Sequence, residues 1–539
     1  MQISSGFLKY PRANKHLTGQ MGPKPSSDQT AVRMTNSDRS GKHNRVWQVL
    51  FIGAPLYLYL NLFSIRGIPY LLGGDQILFW VYAQRTFFGE HTYLDFFEFT
   101  PPGTVFVYLA LFRFFGLRIW VTNAAVLLLG VALCWICFSI ALRLMEQELA
   151  LLASFLFLSF TYARLLNATH HWFSLLTVLC AVRIIMPVRT TPRVAAAGAL
   201  LGVASCFTQT AGAAVLLAVL MSLAWDGFAV GKPWGRVLWN GTVVVAAFSL
   251  VLFMLNIPLI KGVGWRGLWY YQVVYPRQYL AYWFGTWFPG LPEPLAWHTL
   301  PRLAPYLLVY AVPPVVYPTV LWYCWRNRRN AALPLAELLL LASTGLFLLL
   351  EILPGVNWLR VYCVSMPGLI LLVWAATRVA GRRTCVIVAG WLVVVCIAIG
   401  NSWSRHSHTQ TAVALPAGKA ILPEQKADKF LWLAKHTRPG EFFFEPAWPE
   451  SYVPLGLRNP TFVDSLIANE ETRPEFVGRA IQQIDRRQVK YILWSRRLNA
   501  PNDPARPWQD HLGPMRAYLK SHYKRMQVFT DGDEVWKRN

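Results

Sequence analysis

The chain has 539 residues, of which 55% are hydrophobic and only 14% charged, and its mean hydropathy is +0.34. Soluble proteins carry roughly 25% charged residues, so a soluble fold, disorder, a fibre and a secreted disulfide scaffold are excluded for the chain as a whole, and a polytopic membrane protein remains. The 51 Lys and Arg against 27 Asp and Glu give +24; this surplus reads as topology, because Lys and Arg gather in cytoplasmic loops, and no basic domain of nucleic-acid-binding type accompanies it.

Residues 1–45 are polar, with eight Lys/Arg and two Asp. They read as a disordered basic cytoplasmic tail that places the first span, 46–65, with its N-terminus inside. Residues 66–100 form a polar, aromatic-rich outer loop holding Asp75, Glu90, Asp95 and Glu98. Apolar runs follow at 101–117, 118–142, 149–164, 172–186, 194–208, 211–225, 236–260, 304–325, 333–351, 360–377 and 384–400. Several are short against the roughly 20 residues a helix needs to cross.

Three basic clusters, Lys232/Arg236, Arg326/Arg328/Arg329 and Arg378/Arg382/Arg383, orient the later spans. Placing them inside puts the loop 261–303, the segment Glu351–Arg360 and everything after Gly400 outside. With Arg189 and Arg193 also inside, 194–225 enters and leaves, and its polar break Thr208-Gln209-Thr210 lies near the outer face. N-in with C-out requires an odd number of crossings, yet there are twelve runs. The expectation is 11–13 spans, with the discrepancy placed in 101–186.

The eight cysteines all lie in apolar segments, and Cys134/Cys137, although spaced C-x-x-C, read as helix packing. Residues 401–539 regain charge and are expected to be a small α/β domain outside the membrane. Its expected helices are 423–435, with Phe430, Leu431 and Leu433 inward and Lys429 outward, and 474–485. Its expected strands are 441–445 and 489–494, with a hairpin over 526–537. No P-loop, H-E-x-x-H or G-x-S-x-G occurs in the chain.

Chemistry concentrates in Gly73-Gly74-Asp75-Gln76, Ala83-Gln84-Arg85 and Tyr93-Leu94-Asp95-Phe96-Phe97-Glu98-Phe99-Thr100-Pro101-Pro102-Gly103. Proline suits a first helical turn, where its missing N–H costs nothing, so Pro101-Pro102 sets the next helix and holds Asp95 and Glu98 at its mouth. This stretch resembles the C-type (GT-C) polytopic glycosyltransferases, bacterial relatives of the dolichyl-phosphate-mannose protein mannosyltransferases and aminoarabinose lipid A transferases. The likeness runs over 46–400, is specific at 73–103, and departs where the usual Asp-Glu pair reads Asp75-Gln76.

The resemblance implies an all-α polytopic membrane domain at 46–400 with a small C-terminal α/β domain at 401–539. It implies transfer of a hexose- or mannose-like sugar from a polyprenyl-phosphate carrier to a lipid, glycan or protein hydroxyl outside. Such chemistry needs a base for the acceptor proton and cations for the departing phosphate. Asp75 is the candidate base, and Asp95 is the candidate to position the acceptor or bind a divalent metal, which the sequence does not require. Arg360, in Asn357-Trp358-Leu359-Arg360-Val361-Tyr362, matches the family's Arg-Tyr element and is the candidate phosphate ligand. Arg85, Glu98, Arg277, Gln209 (where relatives carry a Lys) and His171 are the further candidate substrate contacts. The expected setting is a bacterial inner membrane. A non-enzymatic lipid or sugar transporter is the alternative; it leaves the loop carboxylates without a role, and only Glu337 reads as a mid-span acid.

Overall fold

The computed structural model describes residues 46–279, 287–330, 332–379, 383–407 and 409–539. The tail expected at 1–45, like Arg382, lies outside the described residues. The folded body runs from Val49 to Asn539.

Each of the twelve apolar runs contains a helix. After a π turn at Val49–Gly53 come α1 (Ala54–Leu62), α2 (Gln76–Phe87), α3 (Gly103–Phe115), α4 (Ile119–Ala141), α5 (Gln147–Phe160) and α6 (His170–Ile185). Then follow α7 (Thr191–Ser205), α8 (Gln209–Phe228), α9 (Trp234–Trp269), α10 (Tyr275–Tyr279), α11 (Leu300–Arg326), α12 (Leu335–Ile352), α13 (Trp358–Val364), α14 (Met366–Val379) and α15 (Arg383–His406). Six helices are long and apolar enough to cross a membrane, or seven if α13 and α14, bent by 50° at a break, count as one span. Val46–Leu62, Gly103–Phe115 and His170–Ile185 are shorter and equally apolar in character.

Among the twelve runs, α3 is one of the shorter apolar helices. Its 13 residues rise about 20 Å, well short of the roughly 30 Å hydrocarbon core. The helix begins where Gly103 N–H donates to the Cys206 carbonyl at 2.9 Å, and just past its end Ile119 N–H donates to Ala417 of the C-terminal domain at 3.1 Å. Both ends therefore lie on the side of the C-terminal domain. Phe106, Phe114 and Phe115 are 41%, 83% and 54% exposed, as suits a helix lying along an interface. Setting α3 aside leaves eleven of the twelve runs, the odd number that a start of α1 and a C-terminal domain on opposite sides would require.

The far side is marked by charge. Arg189 binds the Asp226 carboxylate together with the carbonyls of Ser222 (2.7 Å) and Ala336 (3.0 Å), and Lys232 reaches Asp226 at 2.7 Å. Arg383 pairs with Glu146 at 2.5 Å, and Arg183 bonds Ser139 at 2.7 Å. Glu337, expected in mid-span, instead occupies the first turn of α12 within electrostatic range of Arg189; counting from the apolar run alone had placed it too deep. Within the bundle, a Cβ on Gly198 would lie 2.4 Å from the Val244 carbonyl, and one on Gly202 2.7 Å from that of Phe248. This small-xxx-small pair lets the α7 and α9 backbones touch.

The C-terminal domain holds the hairpin β1–β2 (Gln410–Leu415, Gly418–Pro423) and an antiparallel sheet in the order β3-β5-β4 (Tyr491–Ser495, Asp533–Arg538, Tyr523–Val528). Helices α16 (Glu424–His436), α17 (Tyr452–Leu455), α18 (Pro474–Arg486) and α19 (Gly513–His522) complete it. Residues 441–445 make only single bridges, Phe442 to Arg458 and Phe444 to Ile492, instead of the expected strand. On α16, Leu431 is exposed and Lys429 is buried. The inversion has an electrostatic cause: the Lys429 ammonium is held by Asp531 (2.5 Å) and Asp533 (2.7 Å) from the β4–β5 turn, partners a helical-face pattern does not reveal.

Candidate active site

The outer ends of five bundle elements converge. Asp75 stands at the N-terminus of α2 and makes no side-chain capping bond there, so its carboxylate is not spent on the helix. It is open to solvent yet ringed by protein, and desolvation raises its pKa above the ordinary carboxylate value while Arg360 opposes the rise. Gln76 beside it is buried. Its amide donates to the Gly73 carbonyl at 2.9 Å and accepts from Ala168 N–H at 3.1 Å. That paired donation and acceptance suits Gln at this position: a glutamate would put an anion against a buried carbonyl.

Arg360 is the hub. It sits on α13, whose N-cap Asn357 accepts from the Arg360 backbone N–H at 2.9 Å, while its Nη1 donates to the Gly355 carbonyl at 2.9 Å. Its Nε is buried and meets no partner among the described residues. Asp75, Glu351, His170 and His171 all lie within its electrostatic reach. The two His rings abut at a centroid separation of 3.9 Å, and His170 Nδ1 is buried without a partner among the described residues. Glu351, in the last turn of α12, accepts from the Thr210 hydroxyl at 2.5 Å, which ties α12 to the start of α8. There Gln209 donates to the carbonyls of Phe99 (3.4 Å) and Gln272 (3.2 Å). A hydrogen bond from Ala168 to Gln76 brings the N-termini of α2 and α6 together, that of α8 is tied to α12 through Thr210 and Glu351, and helix N-termini favour anions. Trp358 and Tyr362, one turn apart on α13, line a separate cavity of about 260 Å³ together with Arg164 and Tyr306.

The other candidates stand elsewhere. Asp95 is exposed; its carboxylate accepts from the His91 backbone N–H at 2.8 Å, and its carbonyl accepts from Arg85 at 3.1 Å. Arg85 is buried and fully engaged, with Glu90 at 2.7 Å, Asp464 at 2.8 Å and its guanidinium over Phe96. Glu98 is buried, accepting from Thr100 at 2.6 Å, and burial holds its pKa well above the ordinary value. Arg277 is exposed on α10. The structure therefore joins Asp75, Arg360 and His171 at one site with Gln209 at its margin. Arg85, Asp95 and Glu98 belong to the seam between the first outer loop and the C-terminal domain. Among the described residues no group of three or more His, Cys, Asp or Glu is placed to hold a metal.

The aromatic run at 270–275 also serves this seam. Tyr271 stacks on Tyr93 at 4.7 Å, and Tyr275 packs on Phe97 at 4.6 Å while donating to the Glu471 carbonyl at 2.8 Å. Glu351 and Thr210 were not singled out from the sequence. The signal available was an acid closing a leucine-rich span immediately before Leu353-Pro354-Gly355.

No family model and no curated protein matches the sequence. Solved structures do match, and the fold they define is that of the C-type polytopic membrane glycosyltransferases. ArnT from Cupriavidus metallidurans, solved bound to undecaprenyl phosphate, aligns over 91% of this chain and 97% of its own at TM-score 0.56 and 13% identity. The archaeal oligosaccharyltransferase AglB from Archaeoglobus fulgidus aligns over 92% of this chain and 74% of its own (TM-score 0.49, 12% identity). Arabinofuranosyltransferase AftD from Mycobacteria aligns over 91% and 41% (TM-score 0.46, 12% identity). The fold assignment rests on the first.

Proposed function

We propose that this chain is a membrane glycosyltransferase that moves a sugar from a polyprenyl-phosphate carrier to an acceptor hydroxyl, with Asp75 as general base and Arg360 as phosphate ligand. The observation that carries the reading is the pairing of a carboxylate free of capping duty with a guanidinium whose Nε is unpartnered, both at helix ends facing one space. The undecaprenyl phosphate bound to the structurally similar ArnT supports the class of donor. Asp75 takes the acceptor proton as the acceptor oxygen attacks the anomeric carbon. The bond from that carbon to the phosphate oxygen breaks, and the configuration inverts. The negative charge left on the lipid phosphate is met by Arg360 and the helix N-termini, groups already aimed at it.

His171 flanks the phosphate, and Gln209 fixes the first outer loop at the site's edge. A hexose or mannose-like sugar, a lipid, glycan or protein acceptor, and a bacterial inner membrane with the C-terminal domain outside complete the proposal. The basic residues gathered at the opposite end of the bundle favour that orientation.

Asp75→Asn is expected to lower transfer from undecaprenyl-phosphate-linked sugar by about 10²–10⁴-fold, the usual worth of a positioned base, in purified protein whose melting temperature is unchanged. Full transfer by a well-folded Asp75→Asn variant would remove Asp75 from the chemistry. Sugar movement across the bilayer with no new glycosidic bond would turn the reading to a transporter.

A further inference from the structure

Glu351 is an acid that the proposed reaction does not use. It closes α12 at the outer end of the bundle, and its Oε1 accepts from the Thr210 hydroxyl at 2.5 Å. That bond points one oxygen at the start of α8 and fixes the carboxylate in place. Glu351 and Arg360 interact electrostatically but do not form an ion pair, and Arg360 Nε stays buried without a partner among the described residues. Asp75 also lies in range of the same guanidinium. An anion on Arg360 would thus sit with two carboxylates near it. One of them, Asp75, gains a proton during transfer under the mechanism above; Glu351 has no part in that proton movement. Its charge acts on whatever phosphate remains.

We propose that Glu351 is a positioning residue for release: latched by Thr210, it keeps a negative charge near Arg360 without neutralising it, and so loosens the grip of Arg360 on the spent lipid phosphate. The inference rests on the assignment of Arg360 as phosphate ligand. The latch is needed as much as the charge. A free carboxylate would swing onto the guanidinium and block the phosphate, whereas a held one repels it from a distance. Release matters because in many enzymes departure of product limits turnover.

The test uses the full chain in lipid nanodiscs with undecaprenyl phosphate as probe. Glu351→Gln retains an oxygen that accepts from Thr210 and removes only the charge. Binding is expected to tighten about tenfold, the order produced by losing one repulsive unit charge at short range. Thr210→Val keeps the charge and removes the latch, and it is expected to weaken binding several-fold. A merely structural role for Glu351 weakens both variants, so affinities that move in the same direction, or a Glu351→Gln variant that does not tighten, would overturn the inference. Arg360→Gln separates the two readings. If it binds undecaprenyl phosphate as well as the parent does, the phosphate assignment fails; if it loses binding while Glu351→Gln fails to tighten, only the release role fails.

Discussion

The carboxyl of Asp75 feels two opposed forces, desolvation raising its pKa and Arg360 lowering it, with desolvation the larger. A base works ionised, so transfer is lost as pH falls through the raised pKa. The acid limb of the rate profile is therefore expected at higher pH than the value near 3.9 of an exposed aspartate. Arg360→Gln removes the opposing charge, and the limb of its residual activity is expected to move higher still, as pH profiles of single-turnover rate would read. A limb unmoved by that substitution would separate the two residues. Asp75 and Arg360 were legible in the sequence because each belongs to a local motif. Asp95 and Arg85 stand in the same motif-bearing loop, yet they turn to His91 and to Asp464. The partner that decides Arg85's role lies 379 residues away, and no local pattern announces such a contact.

At the scale of elements, α2 and the C-terminal domain are one joint. Gln84 donates to the carbonyls of Tyr452 (3.3 Å) and Leu457 (3.2 Å), Phe97 N–H donates to the Phe462 carbonyl at 2.7 Å, and Arg85 pairs with Asp464. Removing one partner of a buried ion pair costs about 3–5 kcal/mol, since it strands the other charge. Arg85→Ala is therefore expected to speed amide exchange across 84–99 and 457–466 in hydrogen–deuterium exchange, with exchange across α7 and α9 unchanged. Within the domain, burial pushes Glu445 up to about 8, against the opposing pull of Lys429. The unfolded chain releases that proton near 4.5, so between about 4.5 and 8 the folded state holds more protons, and stability falls as pH rises through that window. Glu445→Gln is expected to flatten this slope, read as the melting temperature at pH 5.5 and pH 8. Two helices of the domain, α16 and α18, followed from their apolar spacing. Its first hairpin, Gln410–Pro423, and the helix Gly513–His522 were not legible. The hairpin has weak alternation, and its strand Gly418–Pro423 is pinned instead by Leu71 N–H to Ile421 O (2.8 Å) and Ile421 N–H to Pro69 O (2.9 Å), contacts with the far end of the chain.

Across the whole molecule, each apolar run that hydropathy picks out holds a helix among the described residues, and six of these helices, or seven with the α13–α14 pair, are long and apolar enough to cross a membrane. Hydropathy alone does not fix the course of α3: its two flanks are set by hydrogen bonds to Cys206 and Ala417, segments far off in the chain. Part of the +24 charge gathers at the end of the bundle away from the site, at Arg183, Arg189, Lys232 and Arg383. The scarce acids do the more particular tasks: Asp75 and Glu351 at the site, Glu90 and Asp464 around Arg85, Asp226 beneath Arg189.

The Arg85 joint also has a bearing on biogenesis. A ribosome delivers α2 and its loop early, but Asp464, Phe462 and Tyr452 only in the last sixth of the chain. Until those residues have been made, Arg85 and Glu90 have no Asp464 or Arg458 to close on, and the loop bearing Asp75 lacks its brace. The bundle can insert span by span as synthesis proceeds, whereas the brace around Arg85 closes only when the final segment arrives.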